Sequence, residues 1–125
     1  MRLFFFGRLV FLIVCAPLSV FAQTANFLSG FEDLPLMPGL AEIPDTSIVF
    51  DGPNGRIIEA FASGKVLVGD VKDFYTLTLP QLGWDIIGPG QYRRDREVLN
   101  LYVAPTRTGK SQTSTRFVLR PEQSR

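Results

Sequence analysis

Asp70-Val71-Lys72-Asp73-Phe74-Tyr75-Thr76-Leu77-Thr78-Leu79-Pro80-Gln81-Leu82-Gly83-Trp84 settles the fold class. Val71, Phe74, Tyr75, Thr78 and Leu82 recur at i, i+3, i+4, i+7 and i+11, which is one face of an α-helix. Asp70 stands where an N-cap is expected, and Asp73 adds negative charge to the first turn. Pro80 removes a hydrogen bond from the last turn, so the helix ends near Leu79 or bends there. Gly83 suits the left-handed residue that follows a helix. Trp84 comes next and is expected to anchor the joint between the helix and the following strand.

The segments on either side have strand period. Thr46 to Asp51 reads as a short strand, and Gly52-Pro53-Asn54-Gly55 as a turn containing the Asn-Gly hairpin dipeptide. Residues 56–62 form the return strand, with Ile57, Glu59 and Phe61 on one face and Ile58, Ala60 and Ala62 on the other. The small alanine face is the one a helix can approach closely. Downstream, residues 84–94 are either one bent strand or a tight hairpin about Gly88-Pro89-Gly90, and Asp95-Arg96 is a polar turn. Residues 97–103 alternate with Leu99, Leu101 and Val103 on one face, residues 104–114 form a polar loop, and 115–120 is the last strand before Pro121. The order β-β-α-β-β-β predicts an α+β fold, one antiparallel sheet packed against a single helix. Its expected core is Phe74, Tyr75, Leu82, Trp84, Leu99, Leu101, Phe117 and Leu119. The opposite sheet face, carrying Glu59, Phe61, Asn100, Tyr102, Arg116 and Arg120, meets solvent or a partner.

Residues 23–45 have no period. Pro35, Pro38 and Pro44 push their predecessors toward extended geometry, while Phe27, Phe31, Leu34, Leu36, Met37, Leu40 and Ile43 are too apolar for a solvated linker. The expectation is an extended Pro-rich arm lying across the domain, the alternative a docking segment for a partner. Residues 1–22 read as a secretory leader. Arg2 and Arg8 precede an apolar run from Leu9 to Ala16, Pro17 breaks it, and Val20-Phe21-Ala22 fits a cleavage site. The run is too short to span a bilayer. Leu12-Ile13-Val14-Cys15 offers the alternative of a lipidated Cys15, although Val14 is bulky where that signal takes a small residue. The expected divisions are therefore leader 1–22, arm 23–45, one domain 46–121 and tail 122–125.

Composition narrows the chemistry. The 125 residues hold no His and one Cys, Cys15. This excludes His bases, Ser-His and Cys-His nucleophiles, His-ligated zinc and an intrachain disulfide. Loss of the leader removes Arg2 and Arg8 but none of the 12 acids, leaving 11 basic residues and a net charge of −1. That balance argues against nucleic acid as a partner. Asp51, Glu59, Asp70, Asp73, Asp85, Asp95 and Glu97 are scattered, with no pair forced together by spacing, so no catalytic residue is expected. Gly109-Lys110-Ser111 lacks the upstream glycine of a phosphate loop and reads as a mobile loop. No metal or organic cofactor is expected. The local basic cluster, Tyr92-Arg93-Arg94-Asp95-Arg96, is the candidate partner contact, through Tyr92, Arg93, Arg94 and Arg96 on an exposed hairpin tip.

Phe74-Tyr75, Leu79-Pro80-Gln81-Leu82-Gly83-Trp84, Tyr92-Arg93-Arg94 and Leu99, with the segment from Phe31 to Leu40, resemble short exported proteins of Gram-negative bacteria that carry such a helix-to-strand joint. The resemblance implies export and an α+β fold and carries no catalytic residues. Together these readings give a small, non-catalytic binding or accessory module of the cell envelope, periplasmic or secreted, with an unknown envelope protein or an anionic envelope component as partner. A lipid-anchored assembly factor is the alternative, and a small carboxylate hydrolase a more remote one. N-terminal sequencing of the protein recovered from cells is expected to begin at Gln23. A lipidated Cys15 or an intact Met1 would overturn that cleavage site.

Overall fold

The computed structural model describes residues 26–107 and 112–124. The leader, Cys15 and the Gly109-Lys110-Ser111 loop lie outside them. One antiparallel sheet carries one α-helix, an α+β fold. The elements in chain order are β1 (Ala41–Glu42), β2 (Ile48–Gly52), β3 (Gly55–Gly64), α1 (Val68–Thr78), a 3-10 turn (Leu79–Leu82), β4 (Asp85–Gly88), β5 (Gln91–Arg94), β6 (Glu97–Pro105) and β7 (Thr113–Pro121). The sheet runs β1-β3-β7-β6-β5-β4. β2 shares with β1 the outer edge of β3.

Three sequence expectations change. Residues 84–94 are a hairpin, β4 and β5 joined by Pro89-Gly90 with a bulge at Ile87, so four strands follow the helix, and a two-residue β1 precedes β2. Asp70 is not the N-cap. The helix starts at Val68, the cap position is Leu67 with no side-chain bond, and Asp70 lies within the first turn, where its charge faces the unpaired N–H groups. The polar loop is shorter than 104–114, because cross-strand pairing continues to Pro105 opposite Thr113.

The helix ends as Pro80 requires. α1 gives way after Thr78 to the 3-10 turn, and Gly83 stops it at φ 88°, a left-handed conformation that costs a glycine little. The Trp84 N–H then donates to the Leu79 carbonyl, which turns the chain straight into β4. Val71, Tyr75 and Leu79 are fully buried from this side. Alternation along β3 places Ile58, Ala60 and Ala62 beneath them, and register carries the layer to Phe117 and Leu119 of β7 and Leu99 of β6. The two alanines let the Tyr75 ring lie close to the sheet, edge-on to Phe117 at 5.4 Å and to Phe74 at 5.0 Å.

Residues 26–40 complete this layer. Leu28, Leu34 and Leu40 are buried in the same core, and Phe31, Leu36 and Met37 pack against it. The segment doubles back on itself, Phe27 bridging Pro35 and the Leu28 N–H donating to the Leu34 carbonyl. Tyr75 ties it down. Its hydroxyl donates to the Pro35 carbonyl at 3.0 Å and accepts the Met37 N–H at 3.2 Å. Burial pushes this phenol up to about 12. Further along, the chain passes over β3 so closely that a Cβ on Gly64 would run into the Gly39 carbonyl.

Tyr75→Phe keeps the ring and strands two backbone groups. It is expected to lower the unfolding free energy by about 1–3 kcal/mol in urea titration. The buried Thr115 hydroxyl has no partner among the described residues, so Thr115→Val is expected to leave stability unchanged or raise it in the same assay.

Candidate functional site

Three surfaces hold the chemistry. The first is the predicted contact at Tyr92 to Arg96, which the structure takes apart. Tyr92 pairs with Leu99 on the covered face and is only 3% exposed, so it is a core residue and not a surface ring. Arg94 also points inward. It donates to both Asp33 oxygens, at 2.7 and 2.9 Å, and to the Leu82 carbonyl at 2.9 Å. Its guanidinium lies 4.3 Å from the centre of the Trp84 ring. Arg94 therefore clamps the 26–40 segment, the helix end and β5 together, and it is lost as a partner contact. The cause is the two-residue turn, which keeps residues 92 and 94 on the sheet face that the helix covers. Arg93 and Arg96 remain outside. Arg93 reaches Glu122 at 3.4 Å. Arg96 and Asp95 both have positive φ, 64° and 48°, the pattern of a type I′ hairpin turn.

The second surface is the helix-free sheet face. Glu59, Phe61, Tyr102, Arg116 and Arg120 lie on it, as alternation places them. Arg116 forms a two-pronged pair with Glu59, at 2.7 and 3.2 Å, and lies 5.4 Å from the Tyr102 ring centre and 6.0 Å from that of Phe61. The bonds from Arg116 hold the Glu59 carboxyl below its ordinary range. At the β2–β3 turn a groove opens, walled by Phe50, Ile57, Pro53 and Pro121 and carrying Arg96 and Arg120. Neither of those arginines forms an ion pair among the described residues. Composition did not mark this groove, because register alone brings Arg120 of β7 beside Ile57 of β3 and Phe50 of β2.

The third surface is a cavity of about 340 Å³ between α1 and the β4–β5 hairpin. Lys72 and Thr76 of α1, Tyr92 of β5 and Leu101 and Val103 of β6 line it. The hairpin turn at Pro89-Gly90 closes one side and is held by the Leu101 N–H donating to the Gly90 carbonyl at 2.8 Å.

Of the expected core, Tyr75, Trp84, Leu99, Phe117 and Leu119 are buried, and Phe74, Leu82 and Leu101 are partly buried against them. Among the described residues no three His, Cys, Asp or Glu side chains lie close enough to hold a metal ion. No protein-family model, curated protein sequence or solved structure matches this chain.

The Arg94 clamp has a pH signature. Its hydrogen bonds hold the Asp33 carboxyl below the ordinary aspartate range. A depressed carboxylate contributes stability that is complete above its unfolded value, about 3.9, and is lost as pH falls through the lower folded value. Arg94→Met is expected to cost about 1–2 kcal/mol at neutral pH, discounted for the half-exposed Asp33, and to flatten the loss of stability below about pH 4. Arg93→Ala is expected to stay within about 0.5 kcal/mol of the parent. Urea unfolding across that pH range checks both.

Proposed function

We propose that this chain is an exported, non-catalytic binding module of the bacterial cell envelope, and that it docks an acidic, apolar-bearing segment of an envelope protein in the groove at the β2–β3 turn. The observation that carries the reading is the groove's composition: Arg96 and Arg120, in no ion pair among the described residues, stand beside Phe50 and Ile57, and the one carboxylate of the lining, Glu122, is engaged by Arg93. Arg forks suit carboxylate oxygens, and apolar walls strengthen such pairs by excluding water. Export rests on the order of charged, apolar and small residues in positions 1–22.

The non-catalytic part of the reading is supported by where the carboxylates sit. Asp33, Glu59 and Glu97 each receive a guanidinium, and Glu42 receives two serine hydroxyls. Burial works against ionisation of Glu42, but the Ser47 and Ser29 bonds outweigh it, and Asp33, Glu42 and Glu59 are all shifted downward. A carboxyl serving as a general acid needs the opposite shift. The described part of the Pro-rich segment, residues 26–45, acts in this reading as the cover of the domain and not as a docking peptide, a role favoured by the burial of Leu28, Leu34 and Leu40.

A fluorescent peptide alternating Glu with Leu and Phe should bind, and binding should weaken with added salt. The double change Arg96→Gly and Arg120→Ala should weaken it at least about tenfold while leaving the melting temperature within a few degrees, since both side chains are exposed and glycine suits the positive φ at 96. Equal binding of a lysine-for-glutamate peptide, or unchanged binding by the double variant, would overturn the reading. So would binding to anionic phospholipid vesicles with none to the peptide.

A further inference from the structure

We infer that the cavity between α1 and the β4–β5 hairpin is a binding site for a small apolar monocarboxylate, separate from the groove at the β2–β3 turn. At about 340 Å³ it lies at the lower end of ordinary small-molecule sites, roughly 300–1,000 Å³. Its walls are apolar where Leu101 and Val103 of β6 and the Tyr75 ring face it. The Tyr75 hydroxyl is unavailable to a ligand, because Pro35 and Met37 already engage it. Two other polar groups are available. Tyr92 is 97% removed from solvent, yet its hydroxyl makes no hydrogen bond to the described residues, although the ring lines the cavity. Among the described residues the only buried side-chain oxygen without a partner is that of Thr115, so the Tyr92 hydroxyl lies open to the cavity and to any acceptor that enters it. Lys72 stands at the mouth without an ion pair among the described residues, and no carboxylate lines the cavity.

These features select the ligand. One cation and no acid select an anion. A single ammonium, in mid-helix and away from the N–H groups of a helix start, suits one carboxylate better than a phosphate, which would draw on guanidinium forks or a helix N-terminus. The apolar walls require the rest of the molecule to be a ring or a short branched chain. Thr76, one helical turn beyond Lys72, spends its hydroxyl proton on the Lys72 carbonyl at 2.8 Å, so it offers the ligand only lone pairs. The donors are therefore the Lys72 ammonium and the Tyr92 hydroxyl, at the mouth and on the wall of one cavity.

Phenylacetate and its neutral counterpart phenylacetamide are the probes, followed by backbone amide shifts in ¹H–¹⁵N spectra of the protein as cells deliver it from the full sequence. Phenylacetate at millimolar concentration should shift the amides of Lys72 to Thr76, Gly90 to Tyr92 and Leu101 to Val103 saturably, and phenylacetamide should bind more weakly. Lys72→Met should weaken phenylacetate roughly fivefold and leave phenylacetamide unchanged. Thr76→Trp, at an exposed helical position, should close the mouth and abolish both while the spectrum keeps its dispersion. The inference is overturned if those amides do not shift, if acid and amide bind alike, if Lys72→Met leaves their ratio unchanged, or if the shifts fall on Arg96 and Arg120 instead. The last outcome would leave the peptide groove standing and remove only the cavity site.

Discussion

The Tyr75 side chain is where the three parts of this domain meet. Its ring is fully buried between α1 and the sheet, its edge meets Phe117, and its hydroxyl engages the backbone of Pro35 and Met37. A chain of about 100 residues buries only about 65% of its unfolded surface, and one short helix cannot cover a sheet of this width. The 26–40 segment supplies the missing cover by inserting Leu28, Leu34 and Leu40. It has no helical or strand period to hold it in place, so its position depends on specific bonds. The two from Tyr75 are part-buried, and they tie the segment's backbone to a ring that is itself fully buried.

Arg94 does at the end of the helix what Tyr75 does at its middle. One guanidinium bridges Asp33, the Leu82 carbonyl and the face of Trp84. Leu82 belongs to the 3-10 turn that Pro80 imposes, whose carbonyls lack the helical partners a longer helix would provide. The cation satisfies one of these carbonyls and accounts for a negative charge in the covering segment. Arg56 plays a similar part nearby, reaching Glu97 at 3.0 Å and Glu32 at 3.6 Å. Two of the five ion pairs among the described residues, Arg94–Asp33 and Arg56–Glu32, thus hold the cover to the sheet.

This division of labour gives the molecule two unlike sides. The covered side is apolar except at its margin, where the cavity beside α1 keeps the Lys72 ammonium and the Tyr92 hydroxyl without partners among the described residues. The open side carries its own lattice of Glu59, Arg116 and Tyr102, and beside it the groove in which Arg96 and Arg120 stand over Phe50 and Ile57. The proposed binding role rests on this arrangement, in which Arg96 and Arg120, in no ion pair among the described residues, lie beside exposed apolar surface, where desolvation makes a pairing count.

Strand alternation, the helical period from Val71 to Leu82, the break at Pro80 and the left-handed Gly83 were all legible in the residues, because each is decided within a few positions. So were the faces of Ile58, Ala60 and Ala62 on one side and of Arg116 and Arg120 on the other. The open choice at residues 84–94 was settled by the pairing of β4 with β5, which the residues by themselves left undecided. The candidate contact failed for the same reason. Tyr92 and Arg94 read as surface residues beside a polar turn, yet Arg94 meets an aspartate 61 residues away, and Tyr92 lies beneath a helix that precedes it. Period and turn chemistry are local, whereas the partner of a charge is chosen by whatever the fold brings within 3 Å of it. The Arg96–Arg120 groove and the Lys72 cavity are likewise products of register and packing, formed by residues that no motif connects.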